Sequence, residues 1–373
     1  MSVPADFSHR DFADELKQRV NEYFVRNGLS RHANAAMIVK TVILVGTYVG
    51  TYGLILTGLL PLSGQWLACF VMGVAMAGIG FSVAHDALHG AYSASPRVNR
   101  LLGYTFDALG ANSYMWKITH NIIHHTHTNI HGHDEDVEVS PLIRLSPYAE
   151  RKFVHRFQHV FAFVAYSLST LFWVVAKDYK YFLKRDLGPY VDRRHPRSEW
   201  AFLIATKLAY LLVMVVLPLA VLDLAWWQFV IGFVTMHLTA GLILGIVFQL
   251  AHVVETTVHL PQSGAETIKR CWMEFQMRTT NNFARGNRLL SWYIGGLNYQ
   301  IEHHLFPRIC HVHYEKISPI VEAVARKHGV PYNCCDSLTA AVGSHYRMLR
   351  QLGASDSAAA ESPHRPAVAL SQP

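Results

Sequence analysis

Apolar residues along the chain gather into four long runs, approximately 36–58, 64–84, 202–222 and 226–250. A hydrocarbon core about 30 Å thick needs roughly 20 residues of helix, and each run has that length. Inside them the clearly ionisable residues are Lys40, Lys207 and His237. Both lysines stand near the start of their run, where a long stem reaches the interface. His237 lies mid-run and is expected to hydrogen-bond between helices. The pattern predicts an all-α integral membrane protein with four transmembrane helices. Composition agrees, since only 16% of residues are charged, against about a quarter in soluble domains.

Charge sets the expected topology. The connectors at 61–65 and around Asp223 carry no Lys or Arg, whereas Arg10, Lys17, Arg19, Arg26 and Arg31 crowd the amino-terminal segment. The middle and carboxy-terminal segments are basic too. The positive-inside rule then makes two hairpins, with both termini cytoplasmic. A further apolar stretch, 157–176, would put the histidine groups described below on opposite faces if it crossed the membrane. It is expected to be a helix lying in the interface. The first run begins too late and is too long for a signal peptide. The expected divisions are a cytoplasmic segment 1–34, a membrane domain 35–330, a cytoplasmic segment 331–352 and a disordered Ala/Ser/Pro-rich tail 353–373. Five cysteines without a CxxC pair fit a reduced, cytosol-facing compartment.

The candidate chemistry lies in the 23 histidines. Three dense groups stand out: His85-Asp-Ala-Leu-His89, His120-Asn-Ile-Ile-His124-His125, and Gln300-Ile-Glu-His303-His304. Residues three and four apart share a helix face, so each group aims imidazoles at one point. His125 is turned about 100° from His124 on a regular helix and is expected to serve a neighbouring ion. His252, just beyond the fourth run, is expected at the same depth as His85. So many nitrogen donors exceed one ion's needs, and two ions sharing the set is the simpler arrangement. Imidazole suits zinc, copper, iron and nickel. No CxxC offers structural zinc, and a nitrogen-rich pair at a membrane surface fits dioxygen chemistry. Iron is the expected metal, although spacing alone does not select it.

The groups HDALH, HNIIHH and QIEHH resemble the three histidine boxes of membrane fatty acid desaturases. Their flanks do too: Trp116-Lys-Ile-Thr-His120, His124-His125-Thr-His-Thr-Asn129, Phe248-Gln-Leu-Ala-His252-Val-Val-Glu255 and Asn298-Tyr-Gln-Ile-Glu-His-His-Leu-Phe-Pro307. The resemblance covers roughly residues 35 to 330. Glutamine opening the third box is similar to the front-end branch, which works between an existing double bond and the carboxyl end, and to bacterial relatives of other regiochemistry. The resemblance implies a di-iron centre that uses dioxygen to insert a double bond into a fatty acyl chain, carried on coenzyme A or in a lipid. Gln300 binds metal or stands behind the ligands, as Asp86 and Asn129 do; Asp134, Asp136, Glu255 and Glu302 are further supporting candidates. His127, His131 and His133 are not expected to be ligands, and Trp116 and Trp292 are expected chiefly to pack.

Many front-end members carry a fused cytochrome b5 domain with an HPGG haem motif. No HPGG occurs here, so no bound haem is expected, and electrons come from a separate ferredoxin or cytochrome b5 type protein. The basic face fits an acidic donor or anionic lipid; no nucleic-acid partner is expected. Two other readings compete. A membrane di-iron hydroxylase or other lipid oxygenase would use nearly the same ligands. A metal transporter would need polar or ionisable groups along the midplane, of which these runs are almost empty.

Overall fold

The computed structural model describes residues 8–264 and 272–354. Residues 355–373, most of the expected tail, lie outside that range; residues 353 and 354 close a helix. Four helices have the length and apolarity to cross a membrane: Ala35–Leu56, Leu62–Leu88, Arg197–Val221 and Trp226–His252. The described residues are mainly helical with almost no sheet, and the chain is an all-α membrane protein. The Asn34 side chain caps the first span by accepting from the Met37 amide, and Pro61 opens the second.

The second span is the hub. Its most apolar window is 72% buried, against 17–33% for the other three. It packs against the first and fourth spans. Gly73 permits the closest approach: a Cβ there would lie 2.5 Å from the Met236 carbonyl oxygen and 2.8 Å from Thr239 Cβ. In a lipid solvent, small residues at such crossings replace the hydrophobic drive with backbone contact.

The second and fourth spans run further than their apolar runs. The second winds through a π-helical turn, Gly80–Ala84, into His85–Leu88, so the first histidine group is its last turn rather than a segment after it. His252 is likewise the last residue of the fourth helix. These turns are buried in protein, so polar residues there continue the helix without facing lipid.

The stretch read as an interfacial helix is a bent pair, Phe153–Ser167 and Ser169–Leu183, meeting at 60°. Each arm is shorter than a span needs. The His124 and His252 rings are neighbours at 4.7 Å, so the chain between them crosses an even number of times. The third and fourth spans supply that pair of crossings, and the bent pair adds no single one. It is pinned to the fourth span by Thr170, whose hydroxyl donates to the His237 carbonyl (2.9 Å). The His237 ring bonds Tyr210 at 2.7 Å and Thr170 at 3.0 Å, an interhelical role as expected. Lys207 meets Asp178 at 2.6 Å and donates to the Gly110 and Trp173 carbonyls.

Over the histidine end lies a cap. The helix Ser8–Arg26 packs its apolar stripe Phe12, Leu16, Val20 and Phe24 on Ile317, Val321 and Val324 of the helix Tyr314–Lys327. Glu15 locks the pair, accepting from Lys327 at 2.7 Å and His328 at 2.8 Å. A two-residue parallel pairing joins Asn282-Phe283 to Cys334-Cys335, and the helix Leu338–Ala354 lies along Gln158–Ser167. An apolar cavity of about 290 Å³ at the opposite end of the bundle is lined by Tyr52, Cys69, Met72, Met214, Trp227 and Met236 among others, with no histidine.

Gly73→Val should lower the detergent melting temperature through a cost of about 1–3 kcal/mol for overpacking; unchanged melting would remove the close crossing as a constraint. The hydrogen bond from Lys327, then that from His328, holds the Glu15 carboxyl at about 2, below its ordinary 4.5. A lowered carboxyl stabilises the fold fully above its unfolded pKa, and that contribution is lost as pH falls from about 4.5 towards 2. Glu15→Gln should therefore cost stability at neutral pH and flatten the fall in melting temperature across that acid window.

Candidate metal centre

The structure brings His85, His89, His120, His124, His125, His252, His303 and His304 together, all buried. His85 and His89 come from the end of the second span, and His252 from the end of the fourth. His303 and His304 stand on the short helix Gln300–Leu305. His120 and His124 lie on a π-helical stretch, Lys117–His124, where a regular helix was expected; such windings recur at functional sites. It holds the two rings nearly parallel, 5.0 Å apart with planes at 18°. His125 is turned away, at 80° to His124 and stacked on His304 at 4.4 Å.

Five rings share one orientation, with Nδ1 engaged outward and Nε2 pointing in. Nδ1 of His120 meets Asp136 (3.2 Å), that of His124 meets Asp134 (3.0 Å), and that of His252 meets the Thr279 carbonyl (3.2 Å). Nδ1 of His303 meets the Tyr314 hydroxyl (3.2 Å), and that of His304 meets Gln276 Oε1 (2.8 Å). The inward Nε2 atoms of His120, His124 and His303 have no hydrogen-bond partner, nor do both nitrogens of His85 and His125. Buried polar atoms without partners are costly, and here they face one another.

One pair shows the chemistry most sharply. A carbonyl only accepts, so His252 Nδ1 carries its proton. The Gln276 amide nitrogen donates to the His125 carbonyl (3.1 Å), which leaves its oxygen to accept from His304 Nδ1. Both Nε2 atoms therefore present lone pairs, 3.1 Å apart. Two lone pairs repel at that distance, and a cation drawing on both resolves the arrangement. The residues fit metal ions, and they fall into sets whose donor atoms lie within 4.8 Å of one another: His85, His89, His120 and His303; His124, His252 and His304; and His125 with His303 and His304.

Electrostatics support the same chemistry. Burial first, and then the neighbouring rings, hold His89, His120, His125, His303 and His304 well below the usual imidazole range. Neutral rings are the form that binds metal. For His124 burial also lowers, but the Asp134 charge and hydrogen bond outweigh it and the ring is raised.

The supporting candidates divide. Asp134 and Asp136 orient imidazoles, and Asp134 also accepts from the amides of Asn129 (2.8 Å) and Asp136 (3.0 Å). Asn129 sits at φ 59° and gives its side-chain amide to the His252 and Val258 carbonyls, so it buttresses the backbone under the rings. Gln300 is buried with its amide nitrogen unpartnered. Asp86 Oδ1 stands 3.8 Å from His85 Nδ1. The Glu255 carboxylate pairs with Arg347 (2.7 Å), and Glu302 accepts from Asn282 and Tyr332. His131 pairs with Glu138, and His127 faces His133. Trp116 stacks on His120 at 4.3 Å and edges onto His85 and His89; Trp292 instead lies beside Lys40. Sequence reading missed Gln276, Thr279 and Tyr314, which hold outward nitrogens. None lies in a histidine group, and only the i, i+4 pair Trp272 and Gln276, both donating to the His125 carbonyl, left a periodic trace.

A family model described as fatty acid desaturase matches residues 61–335. The chain is 37% identical to an sn-1 linoleoyl-lipid 6-desaturase of Synechocystis sp., over 92% of this chain and 96% of the relative. It is 38% identical to an sn-1 linoleoyl-lipid 6-desaturase of Arthrospira platensis, over 91% and 92%. It is 31% identical to an acyl-lipid (8-3)-desaturase of Physcomitrium patens, over 94% and 73%.

Asp134→Ala should weaken metal retention by about 10–100-fold, the range for losing a carboxylate behind a ligating histidine, as read by metal analysis of purified protein. The Glu255 carboxylate pairs with Arg347 instead, so Glu255→Ala should retain metal like wild type. Equal retention in both would remove Asp134 from the site.

Proposed function

This chain belongs to the fatty acid desaturase family, and on that premise we propose that it inserts a cis double bond at carbon 6 of an acyl chain carried in a glycerolipid. The family makes it an oxidoreductase of fatty acyl chains that uses dioxygen. The position and carrier follow the two cyanobacterial relatives, each aligned over nine-tenths of both chains. The site reading rests on one observation, the facing Nε2 atoms of His252 and His304.

In this reading His85, His89, His120 and His303 hold one ion, and His124, His252 and His304 hold a second, with His125 between the sets. Gln300 is a further donor or stands just behind. Iron suits the all-imidazole donor set and dioxygen chemistry together. Two irons held there would supply the oxidising power to take one hydrogen from each of two adjacent methylenes; overall those two hydrogen atoms, one dioxygen, two electrons and two protons become two waters. The protein's part is positional. Asp134, Asp136, Gln276 and Tyr314 fix the rings. Trp116, Phe81 and Phe248 form an apolar wall beside His120 and His85, a surface that accepts a hydrocarbon chain and excludes water.

The histidine end faces the cytoplasm in this reading, since the two connectors at the other end carry no Lys or Arg. Electrons arrive from a separate ferredoxin or cytochrome b5 type protein.

Lipid extracts of cells expressing the chain should contain an acyl species with a new double bond at carbon 6, located by mass spectrometry. His124→Ala and His303→Ala, present in membranes at wild-type levels, should lack it. A hydroxylated chain in its place would turn the assignment to an oxygenase, and a new double bond elsewhere would overturn the position alone.

A further inference from the structure

One buried polar row runs into the cluster from the side. Lys40, in the first span, is 3% exposed. Its Nζ lies 2.7 Å from His311 Nε2. His311 Nδ1 lies 2.8 Å from Asp86 Oδ2, which also accepts the His311 amide at 3.2 Å. The other oxygen, Oδ1, is the one 3.8 Å from His85 Nδ1. The row therefore joins the first span, the residue after His85, and the segment that follows the third histidine group.

Its polarity can be read from donor inventories. A lysine ammonium has three donors and no acceptor, and it is far more basic than imidazole. His311 Nε2 must then be accepting. The ring's single proton sits on Nδ1 and is donated to Asp86. Asp86 Oδ2 is saturated by two His311 donors, and Oδ1 is left facing the His85 ring.

Asp86, Cys310 and His311 by themselves converge closely enough to resemble a cation site. The Lys40 ammonium already supplies the positive charge, so no ion is needed there. Burying a Lys–Asp pair carries a desolvation cost that its attraction often fails to recover, and ionisable groups in a span ordinarily mark function. The other such pair, Lys207 with Asp178, ends on the backbone carbonyls of Gly110 and Trp173 and reaches no imidazole of the cluster. The Lys40 row ends at a candidate ligand.

We propose that Lys40 and His311 are positioning residues: they clamp the Asp86 carboxylate against His85 Nδ1 and so present His85 Nε2 to its metal ion. The inference rests on the two-metal reading above. It sets a carboxylate outside His85, at 3.8 Å, where Asp134 and Asp136 stand at hydrogen-bond distance outside His124 and His120.

The test uses full-length protein in detergent, loaded with ⁵⁷Fe. Iron per chain, the rate of iron release to a ferrous chelator, the Mössbauer spectrum and the melting temperature are compared for wild type, Lys40→Met, His311→Leu and His311→Gln. Glutamine keeps an acceptor towards Lys40 and an N–H towards Asp86; leucine keeps neither. Lys40→Met and His311→Leu should release one of the two irons about 10–100-fold faster, with loss of one spectral component, while His311→Gln retains both. Wild-type release and spectra in all three variants would overturn the proposal. So would a lower melting temperature with both irons kept, or with both lost alike in His311→Leu and His311→Gln, because the row would then serve packing alone. A wild-type chain that binds no iron pair would instead overturn the two-metal reading and this inference with it.

Discussion

Two imidazole nitrogens that both present lone pairs cannot rest 3.1 Å apart in a dry interior without something positive between them. That constraint, at His252 and His304, organises the molecule. Gln276 and the Thr279 carbonyl fix the two tautomers, and both belong to the helix Trp272–Thr279. Holding that helix in place needs the cap, the cap needs its amino-terminal helix, and all of it must sit at the histidine-bearing ends of the second and fourth spans. Each layer answers the demand that a ring offer its lone pair inward while its other nitrogen is satisfied outward.

The membrane solves half of the problem and creates the other half. Lipid around the outer spans lets the second span be enclosed on nearly every side, which gives a rigid post for His85 and His89. Enclosure also removes the water that would otherwise satisfy polar atoms. The groups that stand behind the rings therefore take their partners from protein: Thr128 donates to Gln276, Asn129 to the His252 carbonyl, Asp134 accepts from three directions.

Much of this was legible in the sequence. The four apolar runs gave the spans to within a few residues, because lipid imposes a length that composition cannot hide. The three histidine groups and His252 were readable because helical spacing repeats within each. The helix ends were not: His85 and His252 belong to the spans themselves, since protein rather than water surrounds those turns. The π-helical winding of Lys117–His124 and the bend at Leu168 were invisible too, for both depend on tertiary packing rather than on any residue type. Asp134 and Asp136 could be named as candidates but not told apart from Glu255 and Glu302. Only three-dimensional placement assigns the first two to imidazoles and the others to Arg347 and Tyr332.

The neighbours in the cluster are remote along the chain. His85 and His303 lie 4.5 Å apart as rings, yet 217 of the 373 residues intervene, and Tyr314, which holds His303, comes later still. During synthesis the first hairpin enters the membrane long before its partners exist. The nascent protein therefore has no closed histidine cluster until its carboxy-terminal helices have left the ribosome and folded back. Closure of the cluster is in this sense a checkpoint on completed translation: a chain that stops before the third histidine group keeps the first two groups but lacks His303 and His304, and the donor sets they join stay open.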